Sequence, residues 1–249
     1  MLALVKKVQF HIYWLQRFVR RKWSYSYYGI KFYNNWEDQT FLFYIAGVYG
    51  SFLSKKLKRK KQPFSFIDIG ANQGLYTVLA AQNKHCKKVY AIEPVAPIVA
   101  ILEKNLSLNQ CTGNVRVLPW GISNKNTTIQ VSFNERHTGK TSVTFNQPNA
   151  KTTSIRLGNY QFINETFPSE NDSYFVKIDV EGHERTVLEE LFKSKIGPSI
   201  EHIYFECQEG SYELEPIKEI LVANNFHEFI QIGEGDQQNI YTTKSPILD

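Results

Sequence analysis

From Phe64 onward the apolar positions fall into short runs separated by longer stretches with helical spacing. Phe66-Ile67-Asp68-Ile69 is closed by Gly70, and residues 74–83 carry the spacing of a helix. Lys88-Val89-Tyr90-Ala91-Ile92 predicts a second strand ending at Glu93-Pro94, with a helix running to about Asn109. Val115–Leu118 predicts a third strand. Tyr174–Asp179 predicts a fourth, followed by a helix to about Phe192. His202–Glu206 predicts a fifth, with the next helix over 214–224. Strands alternating with helices predict a parallel sheet covered on both faces. The alternation ends with Phe226–Ile232 and Asn239–Thr243, separated by Gly233-Glu234-Gly235-Asp236, which predicts a hairpin. The fold class is therefore α/β: a doubly wound, seven-stranded, mostly parallel sheet with a C-terminal antiparallel hairpin. Thr128–Phe133, Thr141–Phe145 and Thr152–Leu157 predict a small β insertion between the third and fourth strands, where substrate specificity is expected to reside.

Composition narrows the class. The chain has 249 residues, 42% apolar and 21% charged, as expected of one sizeable globular α/β domain. Three widely spaced cysteines, Cys86, Cys111 and Cys207, argue against a disulfide framework or a zinc site and fit a reducing cytoplasm. Charge is unevenly spread: residues 1–64 hold 13 Lys/Arg against 2 acidic residues, whereas the remainder holds 16 against 22. We expect residues 1–35 to form a basic, aromatic-rich arm and 36–245 the domain. The basic clusters Arg20-Arg21-Lys22 and Lys55–Lys61 read first as solvated faces, and more sharply as attraction to a phosphate-bearing acceptor or the inner face of a membrane.

No stretch has the length of a spanning helix. Residues 39–54 are uncharged but shorter than the ~20 residues required, and Gly47 and Gly50 interrupt them. Lys6, Lys7, Gln9 and His11 break any secretory signal pattern near the start. Leu4, Val8, Ile12, Leu15 and Val19 recur at helical spacing near Trp14. That stripe predicts either an interfacial helix or, more simply, a helix packed on the domain.

Asp68-Ile69-Gly70-Ala71-Asn72-Gln73-Gly74 follows a strand and opens a helix, the setting in which a glycine-rich turn binds a nucleotide-like ligand. The spacing is GxxxG, with no second glycine to admit a pyrophosphate. Asp68 would face a cationic sulfonium and repel a pyrophosphate. Glu93, 19 positions after Gly74, ends the second strand where a carboxylate accepts hydrogen bonds from both ribose hydroxyls. These features point to S-adenosylmethionine, and the antiparallel end of the sheet agrees, since a dinucleotide-binding fold continues with parallel strands. Ala71, Asn72, Tyr76, Pro94, Trp120 and Gly121 complete the candidate cofactor set with Asp68, Gly70, Gly74 and Glu93.

Val176-Lys177-Ile178-Asp179-Val180-Glu181-Gly182-His183-Glu184-Arg185-Thr186-Val187-Leu188, together with Asp68–Thr77, resembles the signature of the FkbM family of methyltransferases, over about Trp36 to Thr243. The resemblance implies a seven-stranded Rossmann-like methyltransferase fold and methylation mostly of oxygen atoms, often on sugars in glycans or glycosylated metabolites. One departure is Ile155-Arg156-Leu157-Gly158-Asn159-Tyr160, where relatives often carry a Leu-Asp-Asp-like stretch, so any role of those acids does not transfer.

A sugar hydroxyl is a weak nucleophile and needs a base. In doubly wound sheets the base is expected at the carboxyl ends of the fourth and fifth strands. Asp179, Glu181 and His183 lie there, with Glu206 on the neighbouring strand. An extended chain would point the first three to one side. His183 titrates near neutrality, and Asp179 would orient it or take the proton itself. Packing alone is the plainer role for His183, and a favourable place at a helix N-terminus the plainer one for Glu181 and Glu184. Glu206 is a candidate partner of Lys177. Carboxylates alone are a weak metal signal, and we expect none.

The expected function is an S-adenosylmethionine-dependent O-methyltransferase acting on a small-molecule or glycan acceptor, as in polysaccharide biosynthesis. An RNA or DNA methyltransferase is the alternative, suggested by basic clusters interleaved with Trp14, Trp23, Tyr25, Tyr27 and Tyr28. It is disfavoured because no Asn/Asp-Pro-Pro-Tyr/Phe stretch follows the fourth strand, so nucleic acid is not the expected partner. A catalytically inactive binding subunit ranks last.

Overall fold

The computed structural model describes residues 15–139, 151–167, 173–208, 214–233 and 237–245. After a single 3-10 turn at Leu15–Phe18, a short hairpin pairs β1 (Trp23–Tyr25) with β2 (Lys31–Tyr33), and helices α1 (Gln39–Ala46) and α2 (Ser51–Arg59) follow. The alternating part comprises β3 (Phe64–Ile69), α3 (Leu75–Ala81), β4 (Cys86–Ile92), α4 (Ala96–Leu108) and β5 (Val115–Leu118). Next come β6 (Gly121–Ile122), β7 (Thr127–Phe133), β8 (Lys151–Gly158) and α5 (Tyr160–Thr166). The chain continues through β9 (Tyr174–Ile178), α6 (Glu184–Lys193), β10 (Ile200–Gln208), α7 (Leu214–Ala223), β11 (Glu228–Ile232) and β12 (Gln237–Thr243).

Seven strands form the main sheet in the order β11-β12-β10-β9-β3-β4-β5. All neighbours are parallel except β12, which runs antiparallel to both β10 and β11. The expected α/β class and C-terminal hairpin are thus found, with the antiparallel strand inserted one place in from the edge. The chain winds from β3 outward through β4 and β5, then returns to place β9 on the other side of β3. That reversal leaves a crevice beyond the ends of β3 and β9, where such sheets bind ligands.

Every residue of β3 and β9 is buried, as two-faced coverage requires. Alternation sends Phe64 and Phe66 into one core with Phe175, Tyr204 and Tyr241, covered by α1–α4. It sends Ile67 and Ile69 into the other, with Val176, Ile178 and Phe205 under α5–α7. Cys86, Cys111 and Cys207 are all buried and free.

The expected β insertion is a separate three-stranded sheet, ordered β6-β8-β7. Thr141–Phe145 lies outside the described residues. So do residues 1–14, and with them most of the predicted N-terminal stripe. Of that stripe, Leu15 and Val19 are exposed rather than packed on the domain. Among the described residues no helix is long and apolar enough to cross a membrane.

The sequence pattern gave no sign of the β1–β2 hairpin or of α1 and α2 as covering helices. The strands are three residues each, α1 lies in an uncharged stretch, and α2 runs into the Lys55–Lys61 cluster. Part of the expected arm is integral to packing: Tyr28, Ile30 and Phe32 are buried in the first core. Phe32→Ala should therefore cost about 3–5 kcal/mol of stability, read from the midpoint of urea unfolding. A loss below about 1 kcal/mol would mean the hairpin merely rests on the domain.

Candidate functional site

Four polypeptide segments meet at the crevice. The first is the turn after β3. Gly70 has φ +75°, and a Cβ there would lie 1.9 Å from the carbonyl oxygen of Asp179, so only glycine fits between the ends of β3 and β9. The Gly70 and Ala71 amides both donate to the carbonyl of Ile92, 3.0 Å each. Gly74, at φ +90°, opens α3 where a Cβ would strike the buried Leu102 at 2.4 Å.

The second segment ends β4. Glu93 is 5% exposed, and its two carboxylate oxygens accept the backbone amides of Asn72 and Val95, 3.0 Å each. Burial pushes its pKa up to about 7 and nearby Asp68 adds to this, against the two amides and Lys177, which pull it down. The third segment runs from β5 into β6, where Trp120 stacks on Phe162 at 4.6 Å under the guanidinium of Arg156.

The fourth is the turn after β9. The strand ends at Ile178, and Glu181 (φ +55°) and Gly182 (φ +95°) fold the chain sharply. Asp179, Glu181 and His183 are therefore not an extended run, yet all three still face one cavity. Glu184, the first residue of α6, fixes this turn by accepting from the amides of Val180 and Gly182, 3.2 Å each. His183 is within 3.1 Å of the Ser123 hydroxyl, and partial burial lowers its pKa.

Lys177 ties the first and fourth segments together. Asp68 and Lys177 are register partners on β3 and β9, so their side chains lie on one face of the sheet, and Asp179 follows two positions later on the same side. The ammonium, 2% exposed, stands 3.4 Å from Asp68 and 3.4 Å from Asp179, and donates to the Gly70 carbonyl at 2.6 Å. Burial alone would lower its pKa, but Asp179 and Asp68 outweigh that and hold it above the usual value. Thr77 donates its hydroxyl to the other Asp68 oxygen at 2.6 Å.

The segments enclose a cavity of about 420 Å³. Of the expected cofactor set, Gly70, Asn72, Glu93, Pro94, Trp120 and Gly121 line it. Asp68, Ala71, Gly74 and Tyr76 are not on its wall. Asp68 is fully enclosed and spent on Lys177 and Thr77, so the expected approach of its carboxylate to a sulfonium is not what its position offers. Tyr76 packs beneath Lys177. Glu206 stands apart from the cavity wall, and its partner is the Tyr49 hydroxyl at 3.1 Å rather than Lys177. Burial, with Asp179 nearby, raises its pKa to about 7. Among the described residues no group of three His, Cys, Asp or Glu is placed to hold a metal.

Several functional neighbours escaped sequence reasoning. Asp38 is fully buried and accepts from the Thr138 hydroxyl at 2.7 Å, from the Thr40 amide at 2.9 Å and from the Gln73 amide group. Burial raises its pKa against these hydrogen bonds. Thr138 and Gly139 line the cavity, and Thr138 also reaches Asn72 at 3.0 Å. The N-cap pattern of Asp38 before α1 was readable in the sequence, but nothing signalled a contact across 100 residues. The small sheet supplies an apolar wall of Ile129, Val131, Ile155 and Leu157.

The donor set fits S-adenosylmethionine. A buried carboxylate stands at the end of β4, the turn residues Gly70 and Asn72 line the wall beside it, apolar walls line the rest, and the volume of about 420 Å³ lies within the ~300–1,000 Å³ of ligand sites. Fold and site together define the class, a Rossmann-like methyltransferase. More specifically, the chain belongs to the FkbM methyltransferase family: the profile described as Methyltransferase FkbM domain matches residues 68–232, and the protein is an S-adenosylmethionine-dependent methyltransferase. Among solved structures, methyltransferase FkbM from Methylobacillus flagellatus superposes with a TM-score of 0.52 at 15% identity, covering 76% of this chain and 47% of that one. M. jannaschii TYW2 in complex with AdoMet gives 0.47 at 14% identity, over 89% and 84%. Precorrin-6y C5,15-methyltransferase from Geobacter metallireducens gives 0.47 at 11%, over 77% and 85%. No curated protein matches the sequence.

Gly70→Ala tests the junction of the first and fourth segments. It should destabilise the fold by more than the ~1–2 kcal/mol of a left-handed alanine and abolish cofactor binding, measured by urea unfolding and calorimetry. Retained binding would show that the two turns need not meet this closely.

Proposed function

We propose that the protein methylates a hydroxyl group of a sugar, a glycan or a glycosylated metabolite. The observation that carries this reading is that Asp179, Glu181 and His183 face the same cavity as Glu93. A proton acceptor is thereby placed beside the site for the donor, as oxygen methylation requires. The resemblance of the signature run to a family acting mostly on oxygen supports it further.

When bound, S-adenosylmethionine supplies an electrophilic methyl on a sulfonium. Glu93 would hold the ribose hydroxyls with the lone pairs its two amide contacts leave free. The Gly70–Asn72 turn would lie against the aminoacyl end. Trp120, Ile122 and the small-sheet wall exclude water, which strengthens every charge interaction inside. Ion pairing with Lys177 fixes the Asp179 carboxylate, so Asp179 orients the acceptor. His183 is the base, because its lowered pKa leaves the ring neutral and able to accept the hydroxyl proton. The β insertion sets which acceptors fit. Residues 36–245 carry the site, with the β1–β2 hairpin packed into the same core.

His183→Ala should lower kcat by about 10²–10⁴-fold and leave cofactor affinity nearly unchanged, whereas Asp179→Asn should lower kcat and weaken cofactor binding as well. Transfer of a labelled methyl group to sugar acceptors, with mass spectrometry of glycans and metabolites for an added CH₂, is the assay. Normal turnover by His183→Ala would make that residue structural, and methyl transfer only to nitrogen or to RNA would refute the reading.

Cofactor affinity should also depend on pH. The carboxyl of Glu93 titrates at about 7 in the free protein, and only its ionised form accepts from both hydroxyls. Lowering the pH below about 7 should weaken binding, approaching about tenfold per pH unit. Glu93→Gln should bind more weakly with a flat profile. A parallel slope in the variant, measured by calorimetry, would assign the proton elsewhere.

A further inference from the structure

We infer that the β1–β2 hairpin and the turn before it form a platform that seats the enzyme on an anionic lipid bilayer. Leu15 and Phe18 are 60% and 69% exposed, and Val19 is 47% exposed. They do not hang on a loose tail, because the Gln16 side chain donates to the Tyr25 carbonyl at 2.9 Å and accepts its amide at 2.8 Å. This extends β1 by a side chain and holds the apolar residues outward.

The hairpin itself is sided. Alternation buries Ser24 and Phe32 and turns Trp23, Tyr25, Lys31 and Tyr33 the other way. On that outer face Arg21 and Lys31 stand over the Trp23 ring at 5.1 and 5.0 Å, and Tyr25 meets it edge-on at 5.1 Å. Arg20 and Lys22 are exposed beside them. Exposed aliphatic tips on the turn, tied to β1 by Gln16, together with the ring edges and cations of the hairpin, match the three layers of a bilayer interface: acyl chains, the aromatic belt and anionic headgroups. Nucleic acid would use the cations and rings but gain little from Leu15, Phe18 and Val19, which is why lipid is the better match.

The platform is joined to the site. The Tyr33 amide donates to Asn105 at 2.7 Å, and Asn105 donates to the Gln73 carbonyl in the cofactor turn at 2.8 Å. Seating the hairpin on a membrane therefore fixes the cavity relative to that surface, as a lipid-linked acceptor requires. The binding claim itself does not rest on the acceptor proposed above.

The test is co-sedimentation of the full-length protein with phosphatidylcholine vesicles with and without phosphatidylglycerol. Binding is expected only with the anionic lipid. Leu15→Ser/Phe18→Ser should reduce it at least about tenfold, and Arg20→Gln/Arg21→Gln by about fivefold per charge, with thermal midpoints unchanged. Trp23 emission in the parent protein, with Trp23→Phe as reference, should shift to the blue on adding anionic vesicles. That readout holds even if a variant fails to fold. Equal binding to both vesicle types, parent-like binding by the variants, no shift from Trp23, dimerisation through the patch, or RNA displacing the vesicles would each overturn the inference.

Discussion

A lysine ammonium buried at the turning point of the sheet is the constraint on which the site depends. Left unpaired there, it would cost several kcal/mol. Lys177 is instead held by Asp68, Asp179 and the Gly70 carbonyl, all on the ends of the two strands between which the sheet reverses. The pairing joins those strand ends and leaves no room for a side chain at Gly70. It also presents the Asp179 carboxylate to the cavity with a defined orientation. One cation between two carboxylates leaves the group with net negative character, which favours a positively charged sulfur donor nearby.

Around that centre the cavity divides by chemistry. Its polar end is built from the Gly70–Asn72 turn and Glu93. Its far wall comes from the inserted sheet, through Ile129, Val131, Ile155 and Leu157. A fold that keeps the first and varies the second can serve many acceptors with one reaction. The Asp38–Thr138–Asn72 chain links the two, so the insertion is braced against the cofactor turn rather than loosely appended.

The sequence revealed the sheet because its central strands are largely apolar runs and its helices are punctuated by turns, signals that depend on local pattern alone. Glu93 and Gly70 were legible for the same reason: each is the residue that ends a strand. Asp68 was misread because its role is set by Lys177 on a strand 109 positions away in sequence. Pairing across a parallel sheet leaves no local trace. Asp38 and Thr138 were missed on the same ground. The hairpin at 23–33 was too short for periodicity to register, and its buried residues became visible only once the core they enter was assembled.

The central claim is that the buried charge group organises the cofactor pocket rather than merely stabilising the sheet. Calorimetric titration of S-adenosylmethionine into the Asp68→Asn/Lys177→Met double variant tests it most directly, since removing both buried charges together leaves only the part-exposed Asp179 carboxylate without its partner. The account predicts a folded protein whose affinity falls at least about tenfold, the worth of a charged hydrogen bond. Parent-like affinity in a folded variant would contradict it.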